Sequence, residues 1–400
     1  MSIAGVATSV PVLTLLMLIA VDLLLRLGNP ADALGYSSVD QWNLPPRIEA
    51  CRRASPDVAL LGSSLLLCLN QDQNGANFYN GLVPSYLQKH LRATTGQGVT
   101  CVNLCSGLQM ISEGYLIATA ATGGRDYPRV IVYGTALRDF IHDLFAREWS
   151  CESFASIAPY VPIKWDVLRV LSGYEARREL ILCHFWYLYR DRTDFKNVLS
   201  AAAKNMLENL PLDQPFFRLG ADHLWRSQRH GYLSEEWVPR KQEKFAEQVK
   251  RAHPEFLREY YFGMQELIYR QGSEATRALE ARYMEALAAL CREKGIKLVI
   301  VNMPLGPEIM TLVPPGLNDA YRGYLQALSR QYGVVLLDFY GDPEFTAGSF
   351  KDGLHLDYGG SVRLADRMID ALKTEHPEVL QAMAAHAARR PGFCPYNRAR

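Results

Sequence analysis

Short, fully apolar runs constrain the fold of this chain more than any other feature of its sequence. Five such runs occur: Val58–Leu61, Val99–Leu104, Val130–Tyr133, Lys297–Val301 and Val334–Asp338. Runs of this length without polar alternation are typical of strands buried on both faces of a parallel sheet. Helical patterns lie between several of them, as in Ala275–Lys294, which is followed by Gly295, a good helix stop. The alternation predicts an α/β fold whose parallel strands are joined by right-handed crossovers.

The bulk composition predicts a packed globular core. Hydrophobic residues make up 48% of the 400 residues and charged residues 21%, which suits one large domain or two smaller ones. The formal net charge is only +1, which argues against a nucleic-acid binder held by a basic surface. A neutral or sugar-like substrate is compatible with this balance.

The first thirty residues differ from the rest of the chain. From Ser2 to Leu25 the only charged residue is Asp22. As a helix this run would span roughly 36 Å, whereas the hydrocarbon core of a bilayer is about 30 Å thick. We therefore expect an N-terminal transmembrane helix within residues 1–30, with residues 9–28 in contact with membrane lipid and Asp22 near the interface. The alternatives are a buried core helix and a cleaved signal peptide, for which Ala31-Asp32-Ala33 is a weak cleavage site.

The eight cysteines are irregularly spaced. They are Cys51, Cys68, Cys101, Cys105, Cys151, Cys183, Cys291 and Cys394. An even count permits disulfides, but no Cys or His pair complements Cys101 and Cys105 at metal-site spacing. We expect free cysteines that act as small core residues, and neither a metal nor an organic cofactor.

A long segment between the third and fourth predicted strands has a different character. Residues 161–275 carry many aromatic and charged residues, which predicts a mostly helical insertion or cap. The sheet domain would then comprise residues 56–160 and 276–375, preceded by a linker at 31–55 and followed by a tail at 376–400 with a short helix. Eight side chains of the insertion are candidates for a sugar-stacking face: His184, Trp186, Tyr187, Tyr189, Asp222, His223, Trp225 and Trp237. Trp and Tyr at helical spacing are more often core residues.

Polar residues follow three of the predicted strands, where the chain must turn. Gly62-Ser63-Ser64 follows the first strand, Asn103 begins a turn that reaches Gly107 after the second, and Arg138 and Asp139 follow the third. Ligands of parallel sheets bind beyond the carboxyl ends of the strands, so these residues are expected at one edge. Each is also explained by ordinary turn chemistry, and Arg138 by a salt bridge to Asp139.

Near the C-terminus, Asp352-Gly353-Leu354-His355 lies in a turn that leads into a final helix. The spacing of three residues lets Asp352 accept a hydrogen bond from the His355 ring while the other ring nitrogen points outward. With a serine at the same sheet edge, this is the base and its orienting group in a Ser-His-Asp triad. Asp357 is the alternative partner of His355, although its position suits a helix cap.

The order Ser64, Asp352, His355, with Asp-x-x-His near the C-terminus, resembles the SGNH/GDSL hydrolase superfamily. The Gly-Ser-Ser turn and the apolar N-terminus are more similar to its membrane-anchored subgroup, the D-alanyl-lipoteichoic acid transfer proteins and the proteins that acylate extracellular polysaccharides. The resemblance covers residues 56–145 and 290–375. It implies a flavodoxin-like three-layer sandwich with about five parallel strands, with Ser64 as nucleophile, His355 as base and Asp352 as its partner.

The chain departs from the family pattern in two of its motifs. Ser63 stands where the family has Asp, and Arg138-Asp139 stands where a Gly-x-Asn-Asp motif supplies an oxyanion donor. The resemblance therefore leaves two alternatives. If Arg138 replaces the missing Asn, charge stabilisation is kept with a different geometry; if it does not, the oxyanion site rests on the Ser64 and Gly107 amides, with Asn103 as a further candidate contact.

The resemblance also implies a substrate, a partner and a location. The substrate would be an acyl ester or a glycan, and a transferase would need a membrane-bound O-acyltransferase as donor. The family places the catalytic domain outside the cytoplasm. The charges flanking the apolar run point the other way, because basic residues only follow it: Arg26, Arg47, Arg52 and Arg53. A catalytically inactive scaffold or glycan-binding component of an export complex is the alternative function.

Overall fold

A computed structural model describes residues 10–28, 44–70, 84–107, 109–142, 153–190, 192 and 254–389 of the chain. The chain divides into two compact units. One comprises Met1–Val39 and Arg178–Gln248, of which residues 10–28, 178–190 and 192 are described. The other comprises Asp40–Arg177 and Val249–Arg400 and contains the sheet.

The sheet unit is built on five parallel strands, as the apolar runs predict. The strands are β1 (Val58–Gly62), β2 (Cys101–Asn103), β3 (Val130–Thr135), β4 (Lys297–Asn302) and β5 (Val335–Asp338). Their order in the sheet is β2-β1-β3-β4-β5, and every neighbouring pair is parallel. This is the doubly wound order of flavodoxin-like folds, in which the chain reverses direction across the sheet beside β1.

The described helices fall before, between and after these strands. In the first half of the chain they are α1 (Val10–Gly28), α2 (Leu44–Ala54), α3 (Ser64–Leu67), α4 (Ser85–Thr95), α5 (Ile111–Ala121), α6 (Arg138–Ile141), α7 (Phe154–Ile157), α8 (Trp165–Val170), α9 (Tyr174–Phe185) and α10 (Tyr187–Arg190). In the second half they are α11 (Pro254–Gln271), α12 (Glu274–Glu293), α13 (Pro307–Met310), α14 (Pro315–Tyr332), α15 (Tyr358–Thr374) and α16 (Pro377–Ala388). The predicted insertion is therefore helical in the parts that the structure describes.

The long helices form two groups, one on each face of the sheet. Helix α4 connects β1 to β2 and contacts α15 and α16, whereas α12 contacts α5 and α14. The chain runs one way from β1 to β2 and the other way from β2 to β5. Right-handed crossovers therefore put α4 on one face and α5, α12 and α14 on the opposite face. The result is a three-layer α/β arrangement.

A buried carboxylate joins two of the helices that cover the sheet. The Glu280 side chain of α12 accepts hydrogen bonds from the amide and the hydroxyl of Ser112, in the first turn of α5, at 2.7 and 3.0 Å. Such a partner satisfies an otherwise unpaired amide and complements the positive end of the helix dipole. This contact explains why a charged residue is tolerated in the core.

The C-terminal tail holds the short helix that the sequence predicts, α16. His386 on this helix lies 2.6 Å from an Asp57 carboxylate oxygen, and the other oxygen of Asp57 accepts from the amide and hydroxyl of Thr100. The tail is therefore tied to the amino-terminal side of β1 and β2.

The cysteines within the described ranges form no disulfide and are buried, as expected of small core residues. They are Cys51, Cys68, Cys101, Cys105, Cys183 and Cys291. Cys151 and Cys394 lie outside the described residues.

The predicted transmembrane helix is not supported by the structure. The chain is helical there, as α1, but none of the helices among the described residues has the length and apolarity that crossing a bilayer requires. Asp22 of this helix has partners within the protein. Its carboxylate is buried, pairs with Arg26 at 2.8 Å and accepts a hydrogen bond from the Leu188 amide at 2.8 Å. Arg26, one turn away, and Leu188, distant in the sequence, therefore satisfy the one acidic group of this run.

Candidate active site

The turn after β1 presents a serine at the carboxyl edge of the sheet. Gly62 ends the strand with a φ of 136°, in a region that side chains avoid. A Cβ atom on Gly62 would lie 2.4 Å from the Gly134 carbonyl oxygen of β3, so only glycine fits. Ser63 then occupies the N-cap position of α3 in extended conformation, without a side-chain capping hydrogen bond, and Ser64 is the first residue of that helix.

The loop after β5 carries the second half of the site. Gly353 has a φ of 78°, and its carbonyl accepts a hydrogen bond from the Gly306 amide at 2.8 Å. The Lys351 amide donates to the His355 carbonyl at 2.8 Å, which closes the loop on itself. These contacts fix the positions of Asp352 and His355 before the chain enters α15.

The structure brings Ser64, His355 and Asp352 together in one hydrogen-bonded row. Ser64 Oγ lies 2.9 Å from His355 Nε2, and His355 Nδ1 lies 2.8 Å from Asp352 Oδ2. The serine is half-buried, and the His355 and Asp352 side chains are 12% and 8% exposed. The Asp-x-x-His spacing thus gives the local geometry that the sequence predicts, and the serine is the third member.

Hydrogen bonds to Asp352 favour its ionised form and thereby set the tautomer of the His355 ring. Its Oδ1 atom accepts from the amides of Leu354 and His355 at 3.0 and 2.7 Å. Burial raises the pKa of the Asp352 carboxyl, but the hydrogen bonds from His355 and Leu354 outweigh it and leave the pKa below its ordinary value. An ionised Asp352 accepts from Nδ1–H, so the neutral imidazole has a free lone pair at Nε2, facing Ser64.

Asp357, the alternative partner of His355, has a different role. Its side chain accepts from the Gly360 amide at 2.7 Å and caps α15. A Cβ atom on Gly360 would lie 2.3 Å from the Ser349 carbonyl oxygen, so glycine permits the close approach of α15 to this loop.

Arg138 lies beside the nucleophile turn and also pairs with Asp139. Its Nη2 atom is 3.4 Å from Ser63 Oγ, and its Nε atom is 3.4 Å from Asp139 Oδ1. Arg138 is 2% exposed. Asp139 in turn accepts from the Ala136 amide at 2.9 Å. The two interpretations of Arg138 are therefore not exclusive, since the ion pair holds the guanidinium next to the site.

The two candidates after β2 lie at the same edge as Ser64. Asn103 is paired in register with Leu60 of β1, and its Oδ1 atom accepts from the Cys105 amide at 2.9 Å. Gly107 is half-buried in the turn that follows, and the preceding Ser106 amide donates to the Gly62 carbonyl at 3.3 Å. The β2 turn is thereby attached to the turn that carries the serine.

Sequence reasoning missed the side chain that makes this attachment firm. Gln109 Oε1 accepts from the Gly62 amide at 2.7 Å, and its Nε2 donates to Ser106 Oγ at 3.0 Å and to the Leu104 carbonyl at 3.1 Å. Gln109 is buried, and all of its bonds join the ends of β1 and β2. A lone polar residue two positions before a helix gives no sequence signal for this role.

The proposed sugar-stacking residues are only partly described. Trp186 and Tyr189 stack with ring centroids 6.2 Å apart, and His184 lies edge-on to Phe185 at 4.6 Å. Tyr187 is buried. Asp222, His223, Trp225 and Trp237 lie outside the described residues. The face itself stays a prediction.

The described side chains include no group of three or more His, Cys, Asp or Glu residues that could hold a metal ion. The side chains of the candidate site supply a serine hydroxyl, an imidazole oriented by a carboxylate, and a neighbouring buried guanidinium. This combination can activate an oxygen nucleophile against a carbonyl.

Comparison with known proteins adds no family, since no protein-family model matches the chain and no curated protein matches it.

Proposed function

We propose that this protein is an SGNH-like serine esterase or O-acyltransferase that acts on an acyl ester of a cell-surface or exported glycan. The observation that carries the proposal is the row of Ser64, His355 and Asp352, with contacts of 2.9 and 2.8 Å. Its position, at the carboxyl edge of a doubly wound sheet, is where such folds bind ligands. The order of the three residues along the chain supports the SGNH assignment.

In the proposed reaction, His355 Nε2 removes the proton of Ser64 as Oγ attacks the ester carbonyl. The resulting imidazolium, stabilised by Asp352, returns the proton to the departing alkoxide and leaves an acyl-enzyme. Water or a sugar hydroxyl then loses its proton to His355 and attacks the acyl carbon. As the bond to Ser64 breaks, His355 returns that proton to Ser64 Oγ, and the free enzyme is restored. Attack by water gives an esterase, and attack by a sugar hydroxyl gives a transferase.

Charge on the tetrahedral intermediate needs donors at the same edge. The amides of Ser64 and Gly107 are the proposed oxyanion donors, and Asn103 is a further candidate. Arg138 would act indirectly: it contacts Ser63 and supplies a fixed positive charge behind the turn that carries Ser64. Removing one direct oxyanion donor typically slows such reactions about 100–1000-fold.

The cellular setting of the proposal follows from the resemblance and the N-terminal sequence. We infer attachment to membrane lipid through residues 9–28, where α1 has several exposed apolar side chains: Leu13, Leu15, Leu16, Met17, Ile19, Leu23, Leu24 and Leu27. The catalytic domain would lie outside the cytoplasm. As a transferase it would receive its acyl group through a membrane-bound O-acyltransferase partner. Carbonate extraction of membranes and protease protection test both statements.

Covalent labelling tests the proposed nucleophile. The full chain in mild detergent is treated with a fluorophosphonate probe, alongside Ser64→Ala and the adjacent control Ser63→Ala. We expect labelling that disappears in Ser64→Ala and persists in Ser63→Ala, with the adduct mapped to Ser64 by mass spectrometry. A folded wild type that takes up no probe would contradict the proposal and favour a scaffold or glycan-binding component. The absence of the family Asn, with Arg138 paired to Asp139, is the observation that favours this second function.

A further inference from the structure

Next to the nucleophile turn lies a cluster of buried polar side chains that lack hydrogen-bond partners. Among the described residues, Gln265 alone has both side-chain polar atoms buried and unpaired, and the Tyr269 hydroxyl is buried and unpaired as well. Gln265 is 0% exposed and Tyr269 6%. Buried polar atoms in folded proteins nearly always have partners, so a group of orphaned ones indicates a missing ligand or ordered water.

Gln265 and Tyr269 lie on a helix, α11, that packs near Arg138 at the carboxyl edge of the sheet. Gln265 and Tyr269 are one turn apart and therefore share a side of α11, which contacts both α6 and α13. The end of α11 packs on α6, where a Cβ atom on Gly272 would lie 2.9 Å from Ile141 Cβ. Tyr269 lies within electrostatic range of Arg138 and Asp139.

Both helices that α11 contacts, α6 and α13, are bonded to segments of the proposed triad. Arg138 on α6 reaches Ser63, the neighbour of Ser64, at 3.4 Å. Helix α13 begins after Gly306, which is bonded to Gly353 in the loop of Asp352 and His355. A group bound by the cluster would therefore lie close to the reacting atoms.

The charges of the cluster indicate what it binds. Asp139 pairs with Arg138, and burial lowers the pKa of nearby His142 to about 4, so the imidazole is neutral at pH 7. An anionic ligand would meet the Asp139 carboxylate, and a cationic one would meet the guanidinium. The unpaired atoms include donors and acceptors, which matches hydroxyl groups, because each hydroxyl can donate and accept.

We infer that Arg138, Gln265 and Tyr269 form a subsite for a neutral, hydroxyl-bearing part of the substrate, such as an uncharged sugar unit. The inference rests on the proposed function for its place in catalysis. It adds a recognition element from α11, a helix outside the sheet domain defined by the sequence motifs.

Variants that lack the unpaired polar atoms distinguish a ligand-binding role of these side chains from a role in folding stability. The full chain in detergent is compared with Gln265→Leu and Tyr269→Phe by thermal unfolding. Without sugar, both variants should unfold at or above the wild-type temperature, by up to about 6 °C, because a buried polar group without a partner has been removed. The matched control is Tyr321→Phe, whose hydroxyl is paired with Asn302 Oδ1 at 3.1 Å and whose loss should lower the unfolding temperature.

The ligand arm repeats the unfolding with D-glucose, D-galactose and D-mannose, and with D-glucuronate as a charged comparison. Sugars stabilise all proteins by exclusion from their surfaces, so the readout is the difference between proteins. At least one neutral sugar should raise the unfolding temperature of wild type and Tyr321→Phe more than that of Gln265→Leu and Tyr269→Phe. Glucuronate should show a smaller difference.

Equal sugar-dependent shifts in all four proteins, a larger difference with glucuronate, or a fall in unfolding temperature for Gln265→Leu without sugar would overturn the subsite. Fluorophosphonate labelling distinguishes this failure from failure of the proposed function. Labelling of Ser64 without a sugar difference refutes the subsite alone. A sugar difference in a wild type that is not labelled refutes the serine chemistry and supports the subsite as a binding site.

Discussion

Replacing Asp352 by asparagine is the sharpest test of the proposed triad, because the substitution replaces one carboxylate oxygen by an NH2 group and changes the side-chain volume very little. In the wild type, Oδ1 accepts from two backbone amides and Oδ2 accepts from His355 Nδ1. The asparagine carbonyl should keep the two backbone donors, since they cannot move. Its NH2 group would then face Nδ1, which must become an acceptor.

The size of the expected rate loss follows from the tautomer of the His355 ring. With Nδ1 unprotonated, the imidazole proton sits on Nε2 and faces Ser64, so the ring cannot take up the serine proton. A wrong-tautomer base of this kind costs about 10,000-fold in rate, or about 5 kcal/mol of activation free energy. Stability should fall by only about 1–2 kcal/mol, because one charge-assisted hydrogen bond is lost while the backbone contacts stay.

The assay is the second-order rate of fluorophosphonate labelling of Ser64 in Asp352→Asn, with thermal unfolding to show that the variant is folded. Asp357→Asn is the matched control, because Asp357 lies two residues beyond His355 and caps α15, and asparagine caps about as well. It should be labelled at the wild-type rate. A labelling rate for Asp352→Asn within tenfold of wild type would refute the triad geometry described above.

Three further predictions concern the same edge of the sheet. Gly62→Ala should lose about 2–6 kcal/mol of folding free energy, because the new Cβ meets the Gly134 carbonyl and the backbone φ is strained. Urea unfolding measures this loss, and a value below about 1 kcal/mol would contradict the close approach of the two strands. Gln109→Leu should leave the buried Gly62 amide without an acceptor and cost about 1–3 kcal/mol, with slower labelling of Ser64; an unchanged urea midpoint would argue against the attachment of β1 to the β2 turn. The pKa of Asp352 is lower in the folded protein than its ordinary value of 3.8, so the carboxylate stabilises the fold above that value, and this stabilisation is lost as pH falls through the folded pKa. The difference in unfolding free energy between wild type and Asp352→Asn should therefore shrink over that range. A difference that grew as the pH fell would contradict this direction.

The strands were predictable because their determinants are local. A run such as Val58–Leu61 has no polar residue to face water, so it can only be buried on both faces, and the structure places β1 there between two neighbours. The alternation of strands and helices then leaves few topologies, and right-handed crossovers account for the layers that are observed. The N-terminal apolar run was less informative about its surroundings, because the length of an apolar run alone does not decide whether lipid or protein covers it.

The sequence by itself determined the parts of the site in which spacing along the chain fixes geometry. Asp352 and His355 are three residues apart in one turn, and the Gly62 turn places Ser64 at the end of a strand. Only the tertiary structure decided that Ser64 and His355, 291 positions apart, lie 2.9 Å from each other. The same holds for the contact of Gln109 with Gly62, and for the placement of Gln265 and Tyr269 on a helix that packs beside Arg138. These relationships depend on strand order and helix packing, which are set by the burial of the whole apolar surface and by no single segment of the chain.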